Sequence, residues 1–376
     1  MNQKTFLHAY KDMQQAYLDK LLDKQPKQDY QDKVFRLLNQ STKKDPFLMQ
    51  LKTELSPNIL SLKTSLNQRD LLDDKQVQKH LELLKRRDQV AKDYKFDDYK
   101  AMMMDFDDVK DVHLKTLLAV FLKQNEKRRR ALIKKYPLNN ENIESVLKTI
   151  GPRIDPFDPN SCLENIKKRL KLSLDVSPLN IIKTNQIKTP RCIAISNENI
   201  TLLLPEVRCV YELKKFIHEL SKCIIFLYQI QSQNSILLRP QKLKGFATIV
   251  EQVIINKVST RKYKRWIKRI SLLENAHESM HALFELDLPQ QHKQASKYYE
   301  SLLTEVFEVN NDTTWAYHPH LINEPHTLAM KALGLTAYLN LKNIYKADKK
   351  AKIPFGPWLE SNILDRLDEV EMNTVL

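Results

Sequence analysis

The sequence predicts a mainly α-helical protein with one small antiparallel sheet. The chain has 376 residues but only four glycines, too few for the Gly-rich turns of nucleotide-binding folds. Apolar residues recur at steps of three and four along most of the chain, as they do on amphipathic helices. Near the middle, two short runs of β-favouring residues flank a turn, which is typical of a hairpin.

The composition narrows the class of protein. The N-terminal residues contain no apolar leader and no apolar run reaches 18 residues, so we expect a cytoplasmic protein without a membrane partner. The four cysteines are scattered without a CxxC pair, which agrees with a reducing compartment. The net charge of +15 permits an anionic partner, but a lysine-rich helical surface explains it as well.

Residues 1–150 are predicted to form an N-terminal helical region. Within it, 123–135 is the most basic stretch of the chain. Because this stretch lacks interleaved aromatic residues, a helix with solvated basic side chains explains it better than a nucleic-acid surface does. Three prolines and one glycine within 151–159 then predict a linker, followed by a peptidase-like domain over 151–376.

A hairpin over 192–204 leads into an amphipathic helix over 209–228. In that helix His218 and Glu219 begin the sequence HELSK, the zinc-peptidase pattern H-E-x-x-H with Lys222 in place of the second histidine. Residues four apart share a helix face, but a protonated lysine has no lone pair for a metal. The order of hairpin and helix also predicts a strand edge beside His218 and Glu219, where an extended peptide can pair.

Two further segments follow this helix. The helix that starts at Gly245 has Glu251 within its apolar run, and a carboxylate there needs a metal, a cation or a hydrogen-bond donor. The next segment, 261–269, is basic, with Tyr263 and Trp266 interleaved. It is the better candidate for nucleic-acid binding, although a solvated helix explains it as well.

An intact H-E-x-x-H motif runs from His277 to His281. Its spacing to Glu300 matches that of zinc aminopeptidases, in which a distal glutamate is the third ligand and the motif's glutamate, here Glu278, is the base. The glycine-rich loop and the Asn-Glu-Gly sequence of those enzymes are missing. Two histidines on a solvated helix face are the alternative explanation.

The segment 315–334, WAYHPHLINEPHTLAMKALG, has the most specific pattern in the chain. Its Trp-Ala, Pro-His, second proline and Ala-x-Gly resemble, at the same intervals, the late active-site segment of the oligoendopeptidase F and thimet oligopeptidase family of zinc peptidases. The spacing from His218 to Glu251 is near that of the family, and the hairpin before the metal-binding helix also fits. This resemblance implies a metallopeptidase-like (zincin) helical fold around a deep channel that binds peptides.

The resemblance also implies roles for individual residues. His218 and Glu251 take the places of two zinc ligands, and Lys222 takes the place of the remaining one. Glu219 matches the base that deprotonates the metal-bound water, and His320 matches the histidine that hydrogen-bonds the substrate or the oxyanion.

Departures from the family pattern affect its chemistry. Thr327, Ala329 and Lys331 stand where tyrosine hydroxyls are expected, so an oxyanion donor is lost. We expect the Lys222 ammonium to replace the charge of zinc by pairing with Glu219 and Glu251.

Three functions remain open on the sequence. The first is a homologue of zinc oligopeptidases with weak or no activity that still binds peptides, with or without zinc. The second is an active zinc peptidase that uses His218 and Glu251 with a further ligand, or else His277, His281 and Glu300; the family register places His281 in a structural helix. The third is a basic scaffold that binds nucleic acid or an acidic partner through 261–269.

Overall fold

Helices dominate the computed structural model, as predicted, and one small sheet packs among them. The structure describes residues 12, 14–19, 21–22, 49, 53–54, 56–68, 73–107, 111–137, 143–196, 199–231, 240–291, 294–309, 314–335 and 338. Much of the predicted N-terminal helical region before residue 56, and residues 339–376 of the predicted C-terminal domain, therefore lie outside the described residues. Among the described helices, none combines the length and the apolar character that crossing a bilayer requires.

The helices before residue 150 include the most basic stretch of the sequence. They are α1 (Pro57–Gln68), α2 (Asp73–Asp93), α3 (Tyr99–Asp107), α4 (Asp111–Gln124), α5 (Glu126–Lys135) and α6 (Ile143–Thr149). In α5, Arg129 is buried and donates hydrogen bonds to the carbonyl oxygens of Leu122 and Val306. The basic stretch 123–135 therefore contributes to helix packing.

The remaining elements build the part of the molecule that contains the candidate site. They are α7 (Pro159–Leu170), β1 (Leu179–Lys183), β2 (Arg191–Ser196), β3 (Asn199–Leu204), α8 (Val210–Gln231), α9 (Pro240–Lys257), α10 (Arg261–Gln291), α11 (Ala295–Phe307), a 3-10 turn (Thr314–Tyr317) and α12 (Pro319–Asn323). Residues 327–335 are also helical. The predicted helix over 209–228 is α8.

The predicted hairpin is present, but the sheet is mixed and not purely antiparallel. Strands β2 and β3 pair antiparallel, with Cys192 opposite Leu202. Strand β1 was not predicted; it pairs parallel with β3, with Ile181 opposite Leu202, and gives the strand order β1-β3-β2. A five-residue strand carries too little alternation to be recognised locally, and no tight turn joins it to its parallel partner.

Helix α8 lies at the centre of the main hydrophobic core, with apolar residues from α9 and α10 in the same cluster. The predicted linker, 151–159, packs against its N-terminal half, where the Phe157 and Phe216 rings lie 5.3 Å apart. Gly151 has a φ of 105°, and a Cβ there would lie 2.9 Å from Val210 Cγ2, so glycine is required at this crossing.

The basic segment 261–269 forms the start of α10. Its aromatic residues Tyr263 and Trp266 are partly buried against the core cluster. The Arg269 guanidinium lies 4.7 Å from the centre of the Trp266 ring. Rings engaged in this way are not free to stack on nucleic-acid bases, so the contacts favour the solvated-helix explanation.

Candidate functional site

The structure brings His218 and Glu251 together across α8 and α9. His218 Nδ1 lies 2.8 Å from Glu251 Oε2, and both side chains are buried. Burial lowers the pKa of His218 to about 4, so its ring is neutral at pH 7. Burial raises the pKa of Glu251, but Lys214 and His218 have the larger, opposite effect, and the pKa falls to about 2. Because a carboxylate only accepts hydrogen bonds, His218 Nδ1–H is the donor and Nε2 keeps its lone pair.

Both oxygens of Glu219 are already engaged. Oε1 lies 2.6 Å from Lys222 Nζ, and Oε2 accepts a hydrogen bond of 2.8 Å from the Cys192 amide of β2. Burial disfavours the charge on Glu219, but the Lys222 ammonium lowers the pKa of this carboxyl below its usual value. A general base needs an accessible oxygen and a pKa near the working pH. Glu219 is therefore a poorer base in this state, because both of its oxygens already accept a hydrogen bond and its pKa is lowered.

The cation beside Glu251 is Lys214, whereas the sequence pointed to Lys222. Lys214 Nζ lies 2.9 Å from Glu251 Oε1, and its side chain is 2% exposed. Lys222 pairs with Glu219. Lys214 precedes His218 by one helical turn and shares its face, which is directed towards α9 and α10.

A set of buried charges extends from Glu251 to the H-E-x-x-H motif on α10. Lys214 pairs with Glu274 as well as with Glu251. Lys331 Nζ lies 2.6 Å from Glu278 Oε1 and 3.8 Å from Glu274 Oε2. The partly exposed Lys215 also pairs with Glu274. We call the whole set the buried charge network: Lys214, Lys215, Glu251, Glu274, Glu278 and Lys331.

The sequence carried a signal for this network that local reasoning missed. Glu274 and Glu278 are four residues apart, as are Lys214 and His218, so each pair lies on one helix face. Burial opposes ionisation of Glu274, but Lys214 and its neighbouring lysines hold the pKa of this carboxyl well below its usual range. Lys331 was noted as a departure from a tyrosine pattern, and the structure gives it Glu278 as a partner.

The α8 site, meaning His218, Glu219, Lys222 and Glu251, does not fit a zinc ion. The ammonium of Lys222 has no lone pair to donate. Each of the two carboxylates already holds an ammonium group. His218 Nε2 is buried without a hydrogen-bond partner among the described residues, but a single nitrogen does not supply the ligands that zinc requires.

A second group forms where α10 meets the segment after the 3-10 turn. One ring nitrogen from each of His277, His281 and His318 lies within 4.8 Å of the others, and we call these residues the trihistidine cluster. His277 Nε2 and His281 Nε2 are 3.1 Å apart. The structure does not bring Glu300 into this group; the residue of α11 that reaches His281 is Tyr299, whose hydroxyl lies 3.3 Å from Nε2.

Glu278, the predicted base of the H-E-x-x-H motif, is paired with Lys331. Burial raises its pKa, but Lys331 lowers it, and the net effect is a pKa below the usual value. Like Glu219, this carboxylate is held by an ammonium group. Glu219 on α8 and Glu278 on α10 are thus each paired with a lysine.

His320 lies beside the trihistidine cluster, with its ring centre 5.4 Å from that of His318. Its Nδ1 lies 3.4 Å from both Lys244 Nζ and Glu324 Oε2, and its side chain is 33% exposed. Burial and the Lys244 ammonium lower the pKa of His320 below its usual value. His320 and Lys244 can therefore offer hydrogen-bond donors to a polar ligand.

Helix α2 holds the segment that carries His318 and His320. Arg87 donates hydrogen bonds to the carbonyl oxygens of Leu321 and Ile322, at 3.0 and 2.7 Å. Residues from the predicted N-terminal region therefore contact the backbone that places both histidines.

Comparison with known proteins supports the fold. No protein-family model matches the chain, and no curated protein matches it. The solved structure of PZ peptidase A with an inhibitor matches with a TM-score of 0.60 and 12% identity, over 94% of this chain and 81% of that chain. Metallocarboxypeptidase 1 of Trypanosoma cruzi matches with a TM-score of 0.57 and 10% identity, over 95% and 89%. At these identities the likeness shows the fold, which is metallopeptidase-like, as predicted.

Proposed function

We propose that this metallopeptidase-like chain is a homologue of the oligoendopeptidase F and thimet oligopeptidase family whose α8 site does not hydrolyse peptides. The observation that carries the proposal is the state of Glu219. In a zinc peptidase this glutamate removes a proton from metal-bound water. Here its two oxygens are held by Lys222 and by the Cys192 amide, and Lys222 stands at a ligand position.

We propose that peptides are nevertheless the ligands of this fold. Two solved structures that resemble it are of a peptidase with an inhibitor and of a metallocarboxypeptidase. Beside the trihistidine cluster, the partly exposed His320 lies next to Lys244, so an imidazole and an ammonium can both donate to a peptide carbonyl or carboxylate. Such binding needs no metal and no base.

Two measurements on the purified full chain test this proposal. Quenched-fluorescent peptides are expected to show no chelator-sensitive turnover, while fluorescein-labelled peptides are expected to bind saturably by anisotropy. Chelator-sensitive turnover that disappears in Glu219→Gln would contradict the loss of activity at the α8 site. Absence of saturable binding across a mixed peptide library would contradict the peptide-binding part.

The trihistidine cluster favours a second candidate, a peptidase that works through the intact motif on α10. Three imidazoles meet there, as in some catalytic zinc sites. The pairing of Glu278 with Lys331 argues against it, because the base would be held by an ammonium. In the same assay, turnover that is lost in Glu278→Gln and kept in Glu219→Gln would identify this alternative.

A further inference from the structure

We infer that the trihistidine cluster binds one borderline divalent transition-metal ion, of the class of Zn²⁺, Co²⁺ or Ni²⁺, at a place distinct from the α8 site. One ring nitrogen from each of His277, His281 and His318 lies within 4.8 Å of the others. The two Nε2 atoms on α10 are 3.1 Å apart. This is near the ~3.3 Å that separates two nitrogens bound tetrahedrally at about 2.0–2.1 Å from zinc.

The nitrogens of the cluster have few other partners. His281 Nδ1 and His318 Nδ1 are buried and have no hydrogen-bond partner among the described residues. Among the described residues, no carboxylate belongs to the trihistidine cluster. His281 Nε2 faces His277 Nε2 and the Tyr299 hydroxyl. Buried polar atoms usually have partners, so an unpaired nitrogen on His318, whose ring lies beside that of His281, points to a ligand that accepts lone pairs.

The protonation states agree with metal binding. Burial lowers the pKa of His277 to about 4 and holds the pKa values of His281 and His318 well below their usual range. All three rings are therefore neutral at pH 7, and neutral imidazole is the form that coordinates a metal.

The backbone fixes the three rings in place. His277 and His281 are one turn apart on α10 and so share a face. The His318 amide donates to the Trp315 carbonyl, and the His318 carbonyl accepts from the Leu321 amide. An ion bound here would join α10 to the segment that carries His318, so binding should stabilise the folded chain.

The donor set selects the class of ion. Three imidazole nitrogens suit zinc, cobalt, nickel or copper, whereas calcium and magnesium require oxygen ligands. Because Glu278 is held by Lys331, the inference concerns binding and assigns no catalytic step. It does not depend on the proposed function, since a chain that cuts no peptide can still bind the ion.

The test uses the full chain after it has been stripped with a chelator and dialysed. Titration with Zn²⁺ alone, monitored by calorimetry, is expected to give one equivalent per chain. Thermal unfolding of the loaded chain should show a higher Tm than that of the stripped chain. Titration with Co²⁺ alone should give the visible absorption of a low-symmetry, nitrogen-bound ion. His281→Ala and His318→Ala should each weaken Zn²⁺ binding at least about 100-fold. Loss of a residue that only orients a metal ligand already lowers metal affinity about 10–100-fold.

His218→Ala is the matched control, since it removes a buried histidine from the α8 site and should leave Zn²⁺ affinity within about threefold of wild type. If His281→Ala does not fold, His318→Ala decides, because His318 is only partly buried and its Tm without metal can be compared with that of wild type. The inference is overturned by absence of stoichiometric binding in the wild type. Binding that survives His318→Ala, or that is lost in His218→Ala, overturns it as well.

Discussion

Among single residues, Lys214 has an electrostatic role that the sequence patterns did not reveal. Its ammonium lies between the carboxylates of Glu251 and Glu274, and its side chain is 2% exposed. Burial disfavours its charge, but the two carboxylates raise its pKa above the usual value. A cation in this position neutralises two acids that are out of contact with water.

Lys214→Met is expected to destabilise the protein by about 3–5 kcal/mol, since it leaves two buried carboxylates without their shared cation. Urea denaturation at pH 7 measures the change. Lys215→Met is the control: its side chain is 31% exposed and Glu274 keeps Lys214, so we expect a loss of about 1 kcal/mol or less. Equal losses in the two variants would show that Lys214 is not the principal partner.

At the scale of elements, a buried cluster around Glu54 joins α2 to the segment after the 3-10 turn. Glu54 accepts hydrogen bonds from Arg87 and from the Tyr99 hydroxyl, and Arg87 continues to the Leu321 and Ile322 carbonyls. Burial raises the pKa of Glu54, but Arg87 and Lys63 lower it to about 2. The contact between the two parts of the chain therefore depends on an ionised carboxylate.

This cluster predicts a specific pH dependence of stability. The pKa of Glu54 is about 2 in the folded chain against an ordinary value of 4.5, so its contribution is present above pH 4.5 and is lost as the pH falls towards 2. The difference in unfolding free energy between wild type and Glu54→Gln should therefore shrink by about 3 kcal/mol over this window. Urea titrations at several pH values measure it.

The control for this pH dependence is Glu82→Gln. Glu82 forms an exposed pair with Arg86, so its replacement should change stability by less than about 1 kcal/mol at every pH. A constant difference between wild type and Glu54→Gln across the window would refute the assignment to Glu54.

A close crossing of two helices fixes α9 against residues 327–335. A Cβ on Gly334 would overlap the carbonyl oxygen of Gly245, and a Cβ on Gly245 would lie 2.9 Å from the Met330 carbonyl oxygen. The glycine of the Ala-x-Gly pattern is therefore explained by helix packing. Helix α9 carries Lys244, which lies beside His320, and Glu251, which belongs to the α8 site. The crossing therefore also helps to place these two residues.

Gly334→Ala is expected to cost about 3 kcal/mol or more, because its new methyl group meets backbone atoms that cannot move aside. Gly245→Ala should cost less, since its closest contact is longer. Thermal and urea unfolding of the two variants give the order. A smaller loss in Gly334→Ala than in Gly245→Ala would contradict the observed crossing.

In the molecule as a whole, helix α2 contacts the backbone of residues 316–322, the segment that carries His318 and His320. Gln76 and His80 contact the Ala316 carbonyl oxygen, each at 3.4 Å, and Arg87 holds the next turn. If the trihistidine cluster binds a metal, these contacts from outside the cluster should support its affinity, because they fix the backbone around His318.

Arg87→Met is therefore expected to weaken Zn²⁺ binding about 10-fold, in addition to its effect on stability. Arg129→Met is the matched control, since Arg129 is also buried and also donates to backbone carbonyls, but at Leu122 and Val306. It should lower stability while Zn²⁺ affinity stays near that of wild type. Equal losses of affinity in both variants would indicate a general effect of instability.

Local patterns in the sequence were enough to locate several elements of this protein. Helical periodicity located α8, the β-favouring runs located β2 and β3, and the spacing within 315–334 pointed to the metallopeptidase-like fold that the solved structures support. These features depend on residues close together in the chain, so local patterns suffice to find them.

The side chains that meet in the candidate sites became known from the packed fold. It placed Lys214 rather than Lys222 beside Glu251, and His318 rather than Glu300 beside His277 and His281. Both outcomes depend on how α8, α9, α10 and the segment after the 3-10 turn are rotated and packed against one another. A periodic sequence pattern gives the face of each helix, but the contact between two faces is set by the packing of the whole core.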